Sequence, residues 1–153
     1  MNLQLRSLIP LAAMFTGPVV AAVDNCSGTN ANVAQSVETT ELAKGHTLLV
    51  VRNSSVAMSD DPSKPWHLAA GDCAGTFIIS PDGAMQGSGH CQRKDKDGDV
   101  YDEEWNMPAP GGKGTWKLIG GTGKWANSQN SGWWQGVMSQ GKMSAVRWGG
   151  NCK

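Results

Sequence analysis

The sequence predicts an all-β domain, a single antiparallel up-and-down barrel of roughly eight strands. Three observations lead there. Turn signals recur at short intervals through a chain with 20 glycines and 7 prolines in 153 residues. The stretches between them lack the 3.6-residue apolar stripe of a helix. They read instead as short extended segments carrying β-branched and aromatic residues. Such segments are expected near 36–43, 46–58, 66–80, 84–94, 99–106, 113–119, 130–138 and 142–149, divided by DDPSKP, SPDG, KDGD, MPAPGG, GGTGKWAN and SQG. Closing the series on itself removes free strand edges.

The opening segment, MNLQLRSLIPLAAMFTGPVVAA, stands apart from this pattern. It has one cation at Arg6, an apolar run broken by Pro10 and Pro18, and small residues at Val20 and Ala22. That is the layout of a cleaved export signal, so residues 1–22 are assigned to it and residues 23–153 to the β-barrel domain. The run is too short and too interrupted to span a bilayer, and no later segment qualifies. Periplasmic or secreted localisation follows. The remaining length suffices for one domain around one core. Lys plus Arg and Asp plus Glu both number 13, so the chain lacks the basic excess that drives nucleic-acid binding by counterion release.

All four cysteines, Cys26, Cys73, Cys91 and Cys152, fall after that signal and none forms a C-x-x-C pair. In an exported chain this reads as disulfides. Ser80-Pro81-Asp82-Gly83 fits a type I turn with a left-handed glycine, which sets Ser80 opposite Ala84. Counting back along both arms sets Cys73 opposite Cys91 at a non-hydrogen-bonded rung, where the two α-carbons lie within bridging distance. Closing that loop contributes about 3 kcal/mol. Cys26 and Cys152 then pair by elimination and tie the chain ends together.

In the last hairpin, a Ser139-Gln140-Gly141 loop sets Met138 against Lys142, Trp134 against Val146 and Trp133 against Arg147. Adjacent residues of a strand point to opposite faces. Trp134 is therefore expected to line the interior, with Trp133 outside beneath the Arg147 stem. KDKDGDVYDEE offers carboxylates for calcium, but counted from Asp95 its glycine falls at the fourth position and Asn106 at the twelfth, so the helix-loop-helix spacing is absent. Asp97-Gly98 serves as a hairpin tip that sets Lys96 against Asp99 and Arg93 against Asp102. Leu118 and Trp125 occupy two fixed positions of a phosphate loop around Gly123-Lys124, and the three histidines lack metal-ligand spacing. Neither a metal nor a cofactor is expected.

One polar cluster invites a site. In the register fixed by the Cys73–Cys91 rung, His90 lies opposite Ala74 and shares a face with Asp72, Thr76, Ser88 and Gln92. Cys73, Phe77 and Ile79 point the other way. A two-residue turn at Asp97-Gly98 sets Trp105 opposite His90, and a three-residue turn sets Glu104 there. With the polar face inward, Asp72 and His90 stand diagonally as an acid-base pair; with it outward, they are a solvated surface. Asp72, His90, Glu104 and Trp134 are thus the candidate ligand-binding residues. No serine sits in a G-x-S-x-G elbow.

GTWKLIGGTGKWANSQNSGWW, preceded by DKDGDVYDEEW, resembles the allene oxide cyclase barrel-like family. Its bacterial members show G-T-W, then G-G-T-G-K-aromatic-A, then G-x-G, and the resemblance runs in order over residues 66–149. It implies an eight-stranded antiparallel barrel with a ligand-sized interior and admits isomerase or cyclase activity, although the catalytic residues have no residue-by-residue match here. The leading expectation is an exported barrel that binds a small apolar or amphipathic molecule inside. The alternatives are a cyclase-type enzyme and a secreted interaction or carbohydrate-binding module using exposed tryptophans. The oligomeric state is not encoded in any of these features.

Overall fold

The computed structural model describes residues 24–108 and 113–153, so the expected export signal at residues 1–22 lies outside the described residues. Eight strands follow one another around a closed barrel: β1 (Cys26–Glu41), β2 (Thr47–Ser59), β3 (Ala70–Ile79), β4 (Met85–Lys94), β5 (Val100–Met107), β6 (Gly114–Gly121), β7 (Ser131–Gln140) and β8 (Met143–Asn151). All neighbours are antiparallel, and β8 returns to β1. The helical pieces among the described residues are single 3-10 turns at Ala43–Gly45 and Gly123–Trp125. None of the described helices is long and apolar enough to cross a membrane.

β1 begins well before the expected residue 36; its opening stretch, CSGTNANVAQ, is rich in residues of low strand propensity and so does not announce a strand locally. Pairing on both sides holds it extended. It runs from Gly28 opposite Ser59 along β2, and from Cys26 opposite Gly150 to Val33 opposite Met143 along β8. The Cys26–Cys152 disulfide fastens this seam, and Cys73–Cys91 bridges directly opposed residues of β3 and β4 as expected. The Ser80 amide donates to the Ala84 carbonyl at 2.8 Å, with Gly83 at φ 83°, which is the turn that sets the rung.

The last hairpin corrects the expected register. Gln140 faces Met143 across a Gly141-Lys142 turn, Trp134 faces Trp148 and Trp133 faces Gly149, with a bulge between Gly136 and Met138. Gly141 at φ 58° suits a two-residue turn, and the bulge absorbs the extra residue. Met138–Lys142, Trp134–Val146 and Trp133–Arg147 are therefore not partners. Trp133 does lie outside, but its cover is Lys113, whose Nζ stands 3.9 Å from the ring centre, and its Nε1 donates to Asp24 at 2.8 Å. Arg147 instead clamps Asp60 at the end of β2, with Nη1 donating to Oδ1 at 2.7 Å.

This register accounts for the glycines. Across the ladders, Gly28 faces Trp148, Gly87 faces Phe77, Gly89 faces Trp105, Gly114 faces Trp134, Gly132 faces Trp116 and Gly149 faces Trp133. At each of these glycines an added Cβ would overlap the ring opposite. The rings therefore lie flat across bare backbone, an arrangement open only to glycine in a strand. One barrel end, formed by the β2–β3, β4–β5 and β6–β7 connections, is plugged by Ala69, Tyr101 and Trp125 with Trp66 and Leu118 packed against them.

Gly114→Ala and Gly89→Ala are each expected to lose about 1–3 kcal/mol in urea unfolding through overpacking. Gly136→Ala, where nothing lies within 4 Å of the added Cβ, is expected to match or exceed the wild type. Equal losses at all three positions would contradict the ring-on-glycine account.

Candidate functional site

The flat-lying rings leave the barrel hollow. A cavity of ≈ 250 Å³ occupies the half away from the plug, with Lys142 of the β7–β8 turn at its rim. Strand alternation builds two unlike walls. β3, β5 and β7 contribute Phe77, Trp105 and Trp134, while β1, β2 and β8 contribute Asn30, Asn32, Asn53 and Ser144 interspersed with Ala34, Val51 and Val146. Phe77 and Trp105 stack at 5.3 Å with 28° between planes, and Trp134 meets Trp105 edge-on at 6.0 Å and 90°. Those are the preferred aromatic geometries, so the corner is rigid.

Arg93 and Glu103 form the floor. Together with Asn30 they line both this cavity and a smaller void of ≈ 40 Å³ beneath the plug, and so divide the interior in two. Arg93 is only 2% exposed. Its Nη1 donates to Glu103 at 3.0 Å, and its Nη2 to Ser55 at 3.3 Å and to Cys73 Sγ at 3.6 Å. Burial alone would depress the guanidinium's pKa, but the Glu103 carboxylate outweighs it and holds the group above its ordinary value. Burial likewise pushes the Tyr101 hydroxyl up to about 12, so it stays neutral. Among the described residues six buried side-chain polar atoms lack a hydrogen-bond partner, three of them, Arg93 Nε, Trp134 Nε1 and Asn30 Oδ1, on residues that line this cavity. Each such group costs about 1–3 kcal/mol until something satisfies it.

The candidate residues separate between the two faces. Trp134 lines the cavity, whereas Asp72 and His90 are exposed on the outer surface, with Glu104 half-buried beside them. Asp72 accepts from Ser54 at 2.8 Å and Glu104 pairs with Lys117 at 3.5 Å. The face bearing Cys73 and Phe77 is the inner one, and the sheet stands between His90 and the hollow. Asp95 N–H donates to the Asp99 carbonyl at 2.9 Å, which makes the β4–β5 turn three residues long and puts Glu104 opposite His90. The expected Lys96–Asp99 and Arg93–Asp102 pairs are corrected accordingly: Arg93 lies opposite Tyr101 and reaches Glu103 inside. Alternation carried the signal, since Arg93 stands two residues beyond Cys91 and must share its face. Asn30 and Asn32 went unread because β1 was expected to start after them.

The aspartate-rich loop has a different occupant from calcium. Lys124 Nζ lies 2.7 Å from Asp95, 2.9 Å from Asp99 and 3.2 Å from Asp97. Asp95 also accepts from Trp125 Nε1 at 2.8 Å and from the Asp97 and Asp99 amides at 2.8 and 3.1 Å. The Gly-Lys-Trp of the glycine-rich segment thus locks two connections together over the plug. Burial pushes Asp95 up, but its bonds from Lys124, Trp125 and Asp97 outweigh this and hold it below the ordinary carboxylate value. The Lys124 hydrogen bond holds Asp99 down as well. No group of three or more His, Cys, Asp or Glu among the described residues is placed to hold a metal ion.

Fold and interior together define a small closed β-barrel with an amphipathic hollow. In comparisons with known proteins, no family model matches this chain and no curated protein matches it.

Carboxylates held low in the folded state stabilise it fully above their unfolded value near pH 4, and that stabilisation is lost as pH falls through the lower folded values. Lys124→Met is expected to lower the urea midpoint at pH 7 and to flatten the drop in stability below pH 4. A variant that kept the wild-type acid profile would contradict the lock.

Proposed function

We propose that this chain is an exported barrel that binds one small apolar or amphipathic molecule in the cavity floored by Arg93 and Glu103. The single observation that carries this reading is a hollow whose aromatic corner faces the amides of Asn30, Asn32 and Asn53. A binding site of this kind is mostly apolar, with a few polar groups fixing orientation. Both disulfides suit an oxidising compartment, in keeping with export. The resemblance to the allene oxide cyclase barrel-like family supports the same reading of the interior.

Binding is favoured over isomerase chemistry because the cavity's titratable side chains are Arg93 and Glu103, committed to each other, and Lys142 at the rim. No histidine lines it. The carbohydrate-platform reading has less support still. None of the seven tryptophans is exposed, and the outward Trp133 is covered by Lys113.

The test is native mass spectrometry of protein purified without denaturant, followed by extraction of what it carries. Wild type and His90→Ala are expected to carry the same small molecule, since His90 lies outside. Val146→Trp, which fills the hollow, is expected to lose it while keeping a β-sheet circular-dichroism spectrum. An empty wild type, or a molecule retained by folded Val146→Trp, would overturn the proposal.

A further inference from the structure

Resting on that reading, we infer that the molecule bound is a flat conjugated compound of one or two rings whose polar end carries hydrogen-bond acceptors, rather than an aliphatic chain. Size is the first constraint. An apolar cavity of about 150 Å³ admits benzene, so ≈ 250 Å³ leaves room for a second ring.

The second constraint is the shape of the apolar wall. Phe77, Trp105 and Trp134 form a corner in which the Trp105 and Trp134 planes stand at 90°. A third ring entering this corner meets one face and one edge at once, and both contacts suit the quadrupole of a π-system. An alkyl chain gains only dispersion and burial there. The corner is also fixed in place, because Trp105 lies over Gly89 and Trp134 over Gly114 and neither ring can swing toward its own wall. Rigid rings favour a rigid guest, which loses little conformational freedom on binding.

The third constraint is polar. The polar side chains on the wall that faces the aromatic corner are the amides of Asn30, Asn32 and Asn53 and the hydroxyl of Ser144. A guest with a polar end therefore meets N–H and O–H donors there. A hydroxyl or carbonyl accepts from them, and a hydroxyl also donates to an amide oxygen. Arg93 is already neutralised by Glu103, so the floor makes no demand for a formal negative charge. Such guests are the chemistry of phenols and aryl ketones.

The experiment titrates the full mature chain with four probes, 2-naphthol, 2-acetylnaphthalene, naphthalene and 1-decanol, by isothermal calorimetry, with tryptophan fluorescence in parallel. 2-Naphthol and 2-acetylnaphthalene are expected to bind at least tenfold tighter than 1-decanol and tighter than naphthalene. Asn53→Leu keeps the size of a lining side chain but removes its amide, and is expected to weaken 2-naphthol severalfold without weakening naphthalene. Near-UV circular dichroism checks that this conservative variant is folded, and Asn30→Ala provides a second test of the polar end, with 2-naphthol weakened more than 2-acetylnaphthalene. If 1-decanol binds as tightly as the ring probes, the ring inference fails while the binding barrel stands. If naphthalene equals 2-naphthol, the acceptor requirement fails. If no probe binds and Val146→Trp behaves like wild type toward all four, the cavity reading fails and takes this inference with it.

Discussion

The cross-strand pairing of glycine with an aromatic ring is the constraint on which the rest of this molecule depends. A closed barrel of eight strands has an interior just wide enough for its own side chains to fill. Tryptophans projecting along the usual direction would fill it. Here five of the inward rings, those of Phe77, Trp105, Trp116, Trp134 and Trp148, each lie over a glycine on the neighbouring strand, so their bulk is spread along the wall. Space remains at the centre, and the rings around it cannot collapse into it because their positions are fixed by backbone beneath. Stability and the capacity to hold a guest thus come from the same contacts.

The polar interior works on this hollow shell from one end. Taking Arg93 and Glu103 out of water is costly unless each finds a partner, and they find each other, with Ser55 and Cys73 taking further guanidinium protons. The pair floors the cavity at a defined depth and leaves Arg93 Nε unspent. Below it, Tyr101, Trp125 and Ala69 close the barrel, and Lys124 ties the aspartates of the β4–β5 turn across the top of that plug. Two cations therefore divide the labour, one inside organising the floor and one outside holding the end shut. The Cys73–Cys91 bridge joins the wall to this floor, since Cys73 touches Arg93.

Much of this was legible in the residues. The turn at Ser80–Gly83 alone fixed the Cys73–Cys91 rung, because a turn type carries a register and a register carries every opposing pair along both arms. Trp134 was read as interior and GGTGKWAN as a divider between strands, and the Trp125 of that divider anchors the plug. What escaped reading was set by contacts distant in sequence. Asn30 and Asn32 sit in a stretch whose composition disfavours a strand, and pairing with β2 on one side and with β8, from the far end of the chain, on the other makes it one. Arg93 carries a charge that local reasoning sends to solvent; Glu103, delivered by the longer of the two turns that Asp97-Gly98 allows, draws it inward. Lys124 and the aspartates it binds lie in separate loops, and no pattern within either one announces the other. The final hairpin slipped for a similar reason, since the bulge near Val137 leaves no clear mark in SQG.

The central claim, that rings laid over glycines hold open a hollow, is tested most directly by crystallography under xenon pressure. Xenon seeks rigid, unfilled apolar space. The account predicts a closed eight-stranded barrel with xenon density against Trp105 and Trp134, across from Val51 and Val146. A structure in which those indoles turn inward, fill the centre and leave no density between them would contradict it.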